Sequence, residues 1–122
     1  MLLFKKKFLA SILTGEKTQT IRVWKHRMMR SGQRSYIPGA GYIRVLEVDE
    51  VELAELTDAD ALPDGFADAA ALRQEIDALY QKELAAGHRA YRVRFALLSP
   101  DEQALAIAER KQNRAAREIP AA

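Results

Sequence analysis

Phe4, Phe8 and Ile12 recur at four-residue steps with Leu9 and Leu13 alongside, and Gly15 follows as a helix-stopping residue. That period predicts an amphipathic helix from about Lys5 to Thr14. From Thr18 to Trp24 the pattern changes. In a strand, Thr18, Thr20, Arg22 and Trp24 share one face, while Gln19, Ile21 and Val23 point the other way. Polar chemistry thereby has a face of its own. A short strand near Arg34 to Ile37 lies between the Ser31-Gly32 and Pro38-Gly39-Ala40-Gly41 turns. Tyr42 to Leu53 is the longest strand candidate. Its Ile43 and Val45 fall in one phase and Val48 in the other, which predicts a bulge near Leu46. Arg89 to Leu97 alternates cleanly, Tyr91, Val93, Phe95 and Leu97 against Arg92, Arg94 and Ala96, the mark of a half-buried strand.

The remaining segments read as helices. Thr57-Asp58-Ala59-Asp60 suggests a short helical turn that Pro63-Asp64-Gly65 then breaks. Asp68 is a good N-cap for a helix over about Ala69 to Leu84, with Leu72, Ile76, Leu79 and Tyr80 as its buried stripe. Ser99-Pro100-Asp101-Glu102 combines an N-cap, a proline at the first helical position and a glutamate three residues after the cap. The helix that starts there is apolar mainly through alanine, with Leu105 and Ile107 its large residues before Ile119. A weakly packed appendage is expected. The chain therefore divides into an α+β domain over residues 1–98 and a helical extension over residues 99–122.

At 122 residues and 48% apolar content, the length suits one domain with its own core. The absence of cysteine excludes disulfides, thiolate metal sites and a thiol nucleophile. No apolar run approaches the roughly 18 to 20 residues that span a bilayer, so the expected setting is soluble and cytoplasmic. His26 and His88 have no metal-binding spacing, so neither a metal nor a cofactor is expected. The net charge of +2 conceals segregation. Residues 1–44 hold ten Lys or Arg against Glu16 alone, while residues 45–87 hold twelve acids against Arg73 and Lys82. A basic surface of this kind suits an anionic partner such as nucleic acid. Lys5, Lys6 and Lys7 oppose the dipole of the first helix, so a bound anion or an acidic patch should compensate them.

Gly15-Glu16-Lys17-Thr18-Gln19-Thr20-Ile21-Arg22 carries the richest chemistry. Arg22, with the Thr18 and Thr20 hydroxyls and the Trp24 indole, suits a phosphate or a planar base. Lys17 adds either a point charge or a proton-transfer group. Two readings stay open for Trp24, a stacking platform or a core residue, and strand propensity alone favours Thr20. Lys25, Arg27, Arg30 and Arg34 are candidates for a phosphate-tracking rim. The tyrosines at 36, 42, 80 and 91 read as packing residues, and Phe66 as the anchor of the Asp64-Gly65 turn.

In order along the chain, the helix ending in Leu13-Thr14-Gly15, the Lys17-to-Arg22 motif, the Gly32 turn, Leu56-Thr57, Asp64-Gly65-Phe66 and the Tyr91-to-Phe95 strand resemble an ASCH domain, a branch of the PUA-like small β-barrels. The resemblance covers about residues 3–97. It implies a barrel with flanking helices and a cleft for RNA or a modified nucleoside. Some relatives resemble RNA-binding or RNA-cleaving modules. Others are amidohydrolases that deacylate acetylated cytidine, in which case Lys17, Thr20 and Asp64 take the catalytic positions. Those hydrolases carry glutamate at the third place, whereas aspartate is one methylene shorter. A protein-interaction module that meets an acidic partner is the third reading.

Overall fold

The computed structural model describes residues 1–118; Ile119 lies outside them. A single 3₁₀ turn at Lys6–Phe8 leads into α1 (Leu9–Thr14), which Gly15 ends in the left-handed conformation. β1 (Gln19–Trp24), β2 (Arg34–Ile37) and β3 (Gly41–Val51) follow. Then come α2 (Asp58–Ala61), α3 (Ala69–Ala85), β4 (Arg89–Leu97) and α4 (Pro100–Glu118). The four strands form one antiparallel sheet in the order β1-β4-β3-β2. It curls into an open half-barrel. The expected barrel does not close: β1 and β2 are opposite edges of the sheet.

The phase change in β3 is resolved as expected. Its register against β4 shifts between Val45 and Glu47, so Leu46 is the extra residue. The Ser31 hydroxyl donates to the Leu46 carbonyl at 2.7 Å, and the Gly32 N–H donates to Val45 at 2.7 Å. The loop before β2 thus pairs backbone that the bulge leaves outside the ladder.

Two apolar layers flank the sheet. Ile12, Ile37, Ile43, Val45, Val93 and Phe95 pack on the inner face beneath α1. Ile21, Val23 and Ala90 pack on the other face against Leu72 and Ile76 of α3. Directly opposed residues share a face, so Thr20 lies beside Val93 and Arg22 beside Tyr91. The polar face of β1 therefore looks into the curl.

Local capping starts the helices where the sequence places them. Thr57 and Asp60 form a reciprocal capping box on α2, and Asp68 accepts from the Ala71 N–H at 2.8 Å to start α3. The helix α4 is less detached than its alanine content suggests. The Gln103 side chain bonds both the N–H and the C=O of Tyr42, at 2.8 and 2.7 Å, as a neighbouring strand would. Ala106 is fully buried beside Tyr42 and Leu98, while Leu105 and Ile107 face solvent. A methyl group permits close approach here, so alanine, not leucine, makes the contact. Among the described residues no helix is long and apolar enough to cross a membrane.

Candidate functional site

The β1 motif opens onto a cavity of about 360 Å³ between the Phe4–Phe8 segment, the Asp64 turn and α3. Lys17, Thr20, Arg22 and Asp64 all line it. Lys17 and Asp64 are each only 3% exposed. The Lys17 ammonium donates to Asp64 Oδ1 at 2.8 Å and also to the Asp64 backbone carbonyl. Gln19 donates to the other carboxylate oxygen at 3.1 Å and to the Asp60 carbonyl at 3.0 Å. Gly65, at φ 90°, supplies the left-handed turn that aims both acceptors of Asp64 at Lys17.

Three phenylalanine rings surround the ammonium: Phe4, Phe8 and Phe66 have centroids 5.7, 4.6 and 5.8 Å from Nζ. Burial holds Lys17 below the ordinary lysine range; Asp64 pulls the other way and Arg22 adds to the lowering. The two neighbouring lysines are compensated. Glu75 of α3 accepts from Lys5 at 2.9 Å and lies 3.4 Å from Lys7, and the Lys5 hydrogen bond chiefly holds its carboxyl below the usual range. The acidic patch expected against the lysine run is thus found in α3.

Arg22 is fixed differently. Its Nε donates to Thr20 Oγ1 at 3.0 Å, Nη2 donates to the Leu3 carbonyl at 2.6 Å, and the guanidinium sits 4.7 Å from the Phe4 centroid. Burial lowers its pKa, against the pull of Tyr80 and Asp64. An arginine nonetheless keeps its charge. No carboxylate lies within ion-pair distance of Arg22 among the described residues. With Tyr80 alongside, its hydrogen bonds to Thr20 and Leu3 still leave guanidinium N–H groups for a ligand.

No family model matches the sequence, and no curated protein matches it. Two solved structures do resemble the fold. Protein EF3133 from Enterococcus faecalis V583, which carries the family designation DUF984, aligns with a TM-score of 0.63 at 15% identity, over 75% of this chain and 67% of its own. The hypothetical protein PH0355 aligns with a TM-score of 0.67 at 12% identity, over 79% of this chain and 95% of its own. These likenesses establish a shared α+β half-barrel architecture.

The other motif residues separate. Thr18 precedes β1 and is exposed; its backbone bonds Pro63 and Phe95, and its side chain faces a different recess beside Asp60. It does not line the cavity, since its backbone is held between the Pro63 carbonyl and the Phe95 N–H beside that other recess. Trp24 is half-buried: its ring packs against Tyr91 at 5.5 Å, tilted by 30°, and it lines a groove of about 620 Å³ with Arg22, Lys25 and His26. Arg27 lies 5.9 Å from the Tyr91 centroid, and Arg30 is exposed on the following loop. Arg34 does not belong to this rim. It pairs with Glu109 of α4 at 2.9 Å, because β2 is the opposite edge of the sheet from β1.

Gln19, Phe4, Glu75 and Tyr80 are site residues that the motif did not reveal. Gln19 was legible in one respect: an amide in the apolar phase of a strand needs buried partners. Tyr80 reaches the cavity at a break in α3, where its φ of −124° and ψ of 23° leave the helical range. Helical periodicity assigned it to the packing stripe and carried no sign of that break.

Proposed function

We propose that the cavity binds a nucleoside-sized unit, either a modified nucleoside or one unpaired nucleotide of an RNA, within a half-barrel of the PUA-like ASCH type. The observation that carries this reading is Arg22: a charged fork without a carboxylate partner, fixed by Thr20, Leu3 and Phe4 inside an aromatic-walled cavity. At about 360 Å³ the space falls within the range of small-ligand sites. A guanidinium reads a phosphate or a base carbonyl through paired N–H groups, and ring walls accommodate a planar base. Both carboxylate oxygens of Asp64 already accept hydrogen bonds, so Asp64 positions Lys17. The ordered ASCH-like motifs support the same ligand class.

Hydrolysis of an acylated cytidine is the second reading, favoured by one observation: burial lowers the pKa of Lys17 in the cavity that Thr20 lines. A lysine base requires that direction of shift. Binding stands first because Thr20 Oγ1 accepts from Arg22 and the Lys17 ammonium is engaged by Asp64.

Calorimetric titration with cytidine and acetylated cytidine, and anisotropy with labelled single-stranded RNA, test this for wild type and Arg22→Gln. Saturable binding weakened about tenfold or more by Arg22→Gln is expected, consistent with loss of a charged hydrogen-bonding group. Binding that ignores Arg22→Gln would overturn the cavity reading. Release of acetate that Lys17→Ala abolishes would put the hydrolase reading first.

A further inference from the structure

Arg34, turned away from the central cavity, lines a second polar pocket of about 440 Å³ between β2 and α4. Ser35, Arg110, Asn113, Arg114 and Arg117 share its wall. Among the described residues no carboxylate lines this space, and Glu109 pairs with Arg34 from outside it. Arginines gathered on facing elements repel one another, and a ligand that brings negative charge relieves this.

Concavities that share lining residues lie between the two pockets. Leu3 and Arg22 line both the central cavity and the groove beside Trp24, and Met1 lines both that groove and the arginine pocket. The segment Met1–Leu3 runs along the open edge of β2, where the Leu2 N–H donates to the Tyr36 carbonyl at 2.9 Å. A flexible polyanion fits a path of linked concavities with a cationic end better than a compact ligand does.

We propose that the β2/α4 pocket binds a phosphodiester of a single-stranded RNA whose unpaired nucleotide occupies the central cavity; this extends the cavity reading and rests on it. Arg110 and Arg114 of α4 then hold the strand backbone. The helix outside the ASCH-like region gains a role of its own: it lengthens the binding track and adds no base specificity.

The test uses anisotropy of 5′-labelled RNA, a dinucleotide and an oligonucleotide of about 12 residues, over a salt series. The variants are Arg110→Gln/Arg114→Gln, Arg110→Lys/Arg114→Lys and Arg22→Gln, each checked by thermal melting. The glutamine pair should weaken the long RNA about tenfold or more and flatten the slope of log affinity against log salt by about 1.4, near 0.7 per lost phosphate contact. It should leave the dinucleotide unchanged. The lysine pair should restore the slope, which a structural loss in α4 would not permit.

Unchanged affinity and slope for the long RNA in the glutamine pair, with Arg22→Gln still weakening both lengths, would overturn this inference and leave the cavity reading standing. If Arg22→Gln weakens neither length, the cavity reading itself fails. Anionic vesicles or an acidic peptide that bind through Arg110 and Arg114 where the RNA does not would also overturn the phosphodiester assignment.

Discussion

Lys17 and Asp64 are both almost wholly removed from water, and each satisfies the other. Substituting Lys17 by methionine leaves a buried carboxylate with Gln19 as its remaining side-chain donor. Removal of one member of a buried pair costs about 3–5 kcal/mol, whereas replacing both with apolar groups is often close to neutral. Lys17→Met should therefore destabilise the fold by about 3 kcal/mol in urea titrations, and Lys17→Met/Asp64→Leu should recover most of that loss. Equal destabilisation by both variants would show that the pair is incidental. The lowered pKa adds a pH signature. Between the folded-state pKa of Lys17 and its ordinary value of 10.5 the unfolded chain binds more protons, so stability rises with pH across that window. Below the folded-state pKa the penalty is constant. The stability difference between wild type and Lys17→Met, followed by denaturant midpoint, should move in favour of the wild type as pH climbs toward 10.5. Which side chains meet was partly legible: the motif named Lys17, Thr20, Arg22 and Asp64, but it placed Thr18 with them. Strand phase carries no sign of the Pro63 turn, which holds the Thr18 backbone beside another recess.

At the level of elements, signals confined to a few neighbouring residues were legible, such as the caps at Thr57, Asp68 and Ser99 and the bulge at Leu46. Their energetics are local. The Asp64-Gly65 turn is a direct test, because an added Cβ at Gly65 would meet Lys17 Cδ only at 3.7 Å, an ordinary contact. The penalty of Gly65→Ala is therefore that of a left-handed backbone, about 1–2 kcal/mol. Thermal melting should register it, and a larger loss would point to displacement of Asp64. The docking of α4 depends on a different kind of contact. Gln103→Leu removes both bonds to the Tyr42 backbone, where a loss of about 1–3 kcal/mol is expected. Limited proteolysis within 100–118 should accelerate in this variant and leave cleavage elsewhere unchanged. No periodicity could announce this docking, since it depends on one amide meeting the backbone at the start of β3, 61 residues away.

Across the whole molecule, the charge blocks of the sequence do not become two poles. Arg92 pairs with Asp49 at 2.8 Å and Asp60 at 3.2 Å, Arg94 with Glu47, and Lys5 with Glu75, so much of the acidic segment is interleaved with the basic ones. The Arg94 pair is exposed and contributes little stability, the Arg92 pairs are half-buried, and all of them reduce the field available to a ligand. Lys25, Arg27 and Arg30 have no carboxylate within ion-pair distance among the described residues. Replacing all three with alanine should weaken long RNA and lower the salt slope by about 2, near 0.7 per contact, while nucleoside binding in the cavity stays unchanged. Loss of both would mean that the loop shapes the cavity instead of tracking a strand. The α+β class, the strand phases, the bulge, the helix starts and most of the central motif are written in the chain, because these follow from backbone period and short-range capping. The open half-barrel, the place of Tyr80 and Gln19 in the site and that of Arg34 in a second pocket emerge only on folding. Each of those depends on which edges and faces meet, and residues far apart in the chain carry no local mark of that meeting.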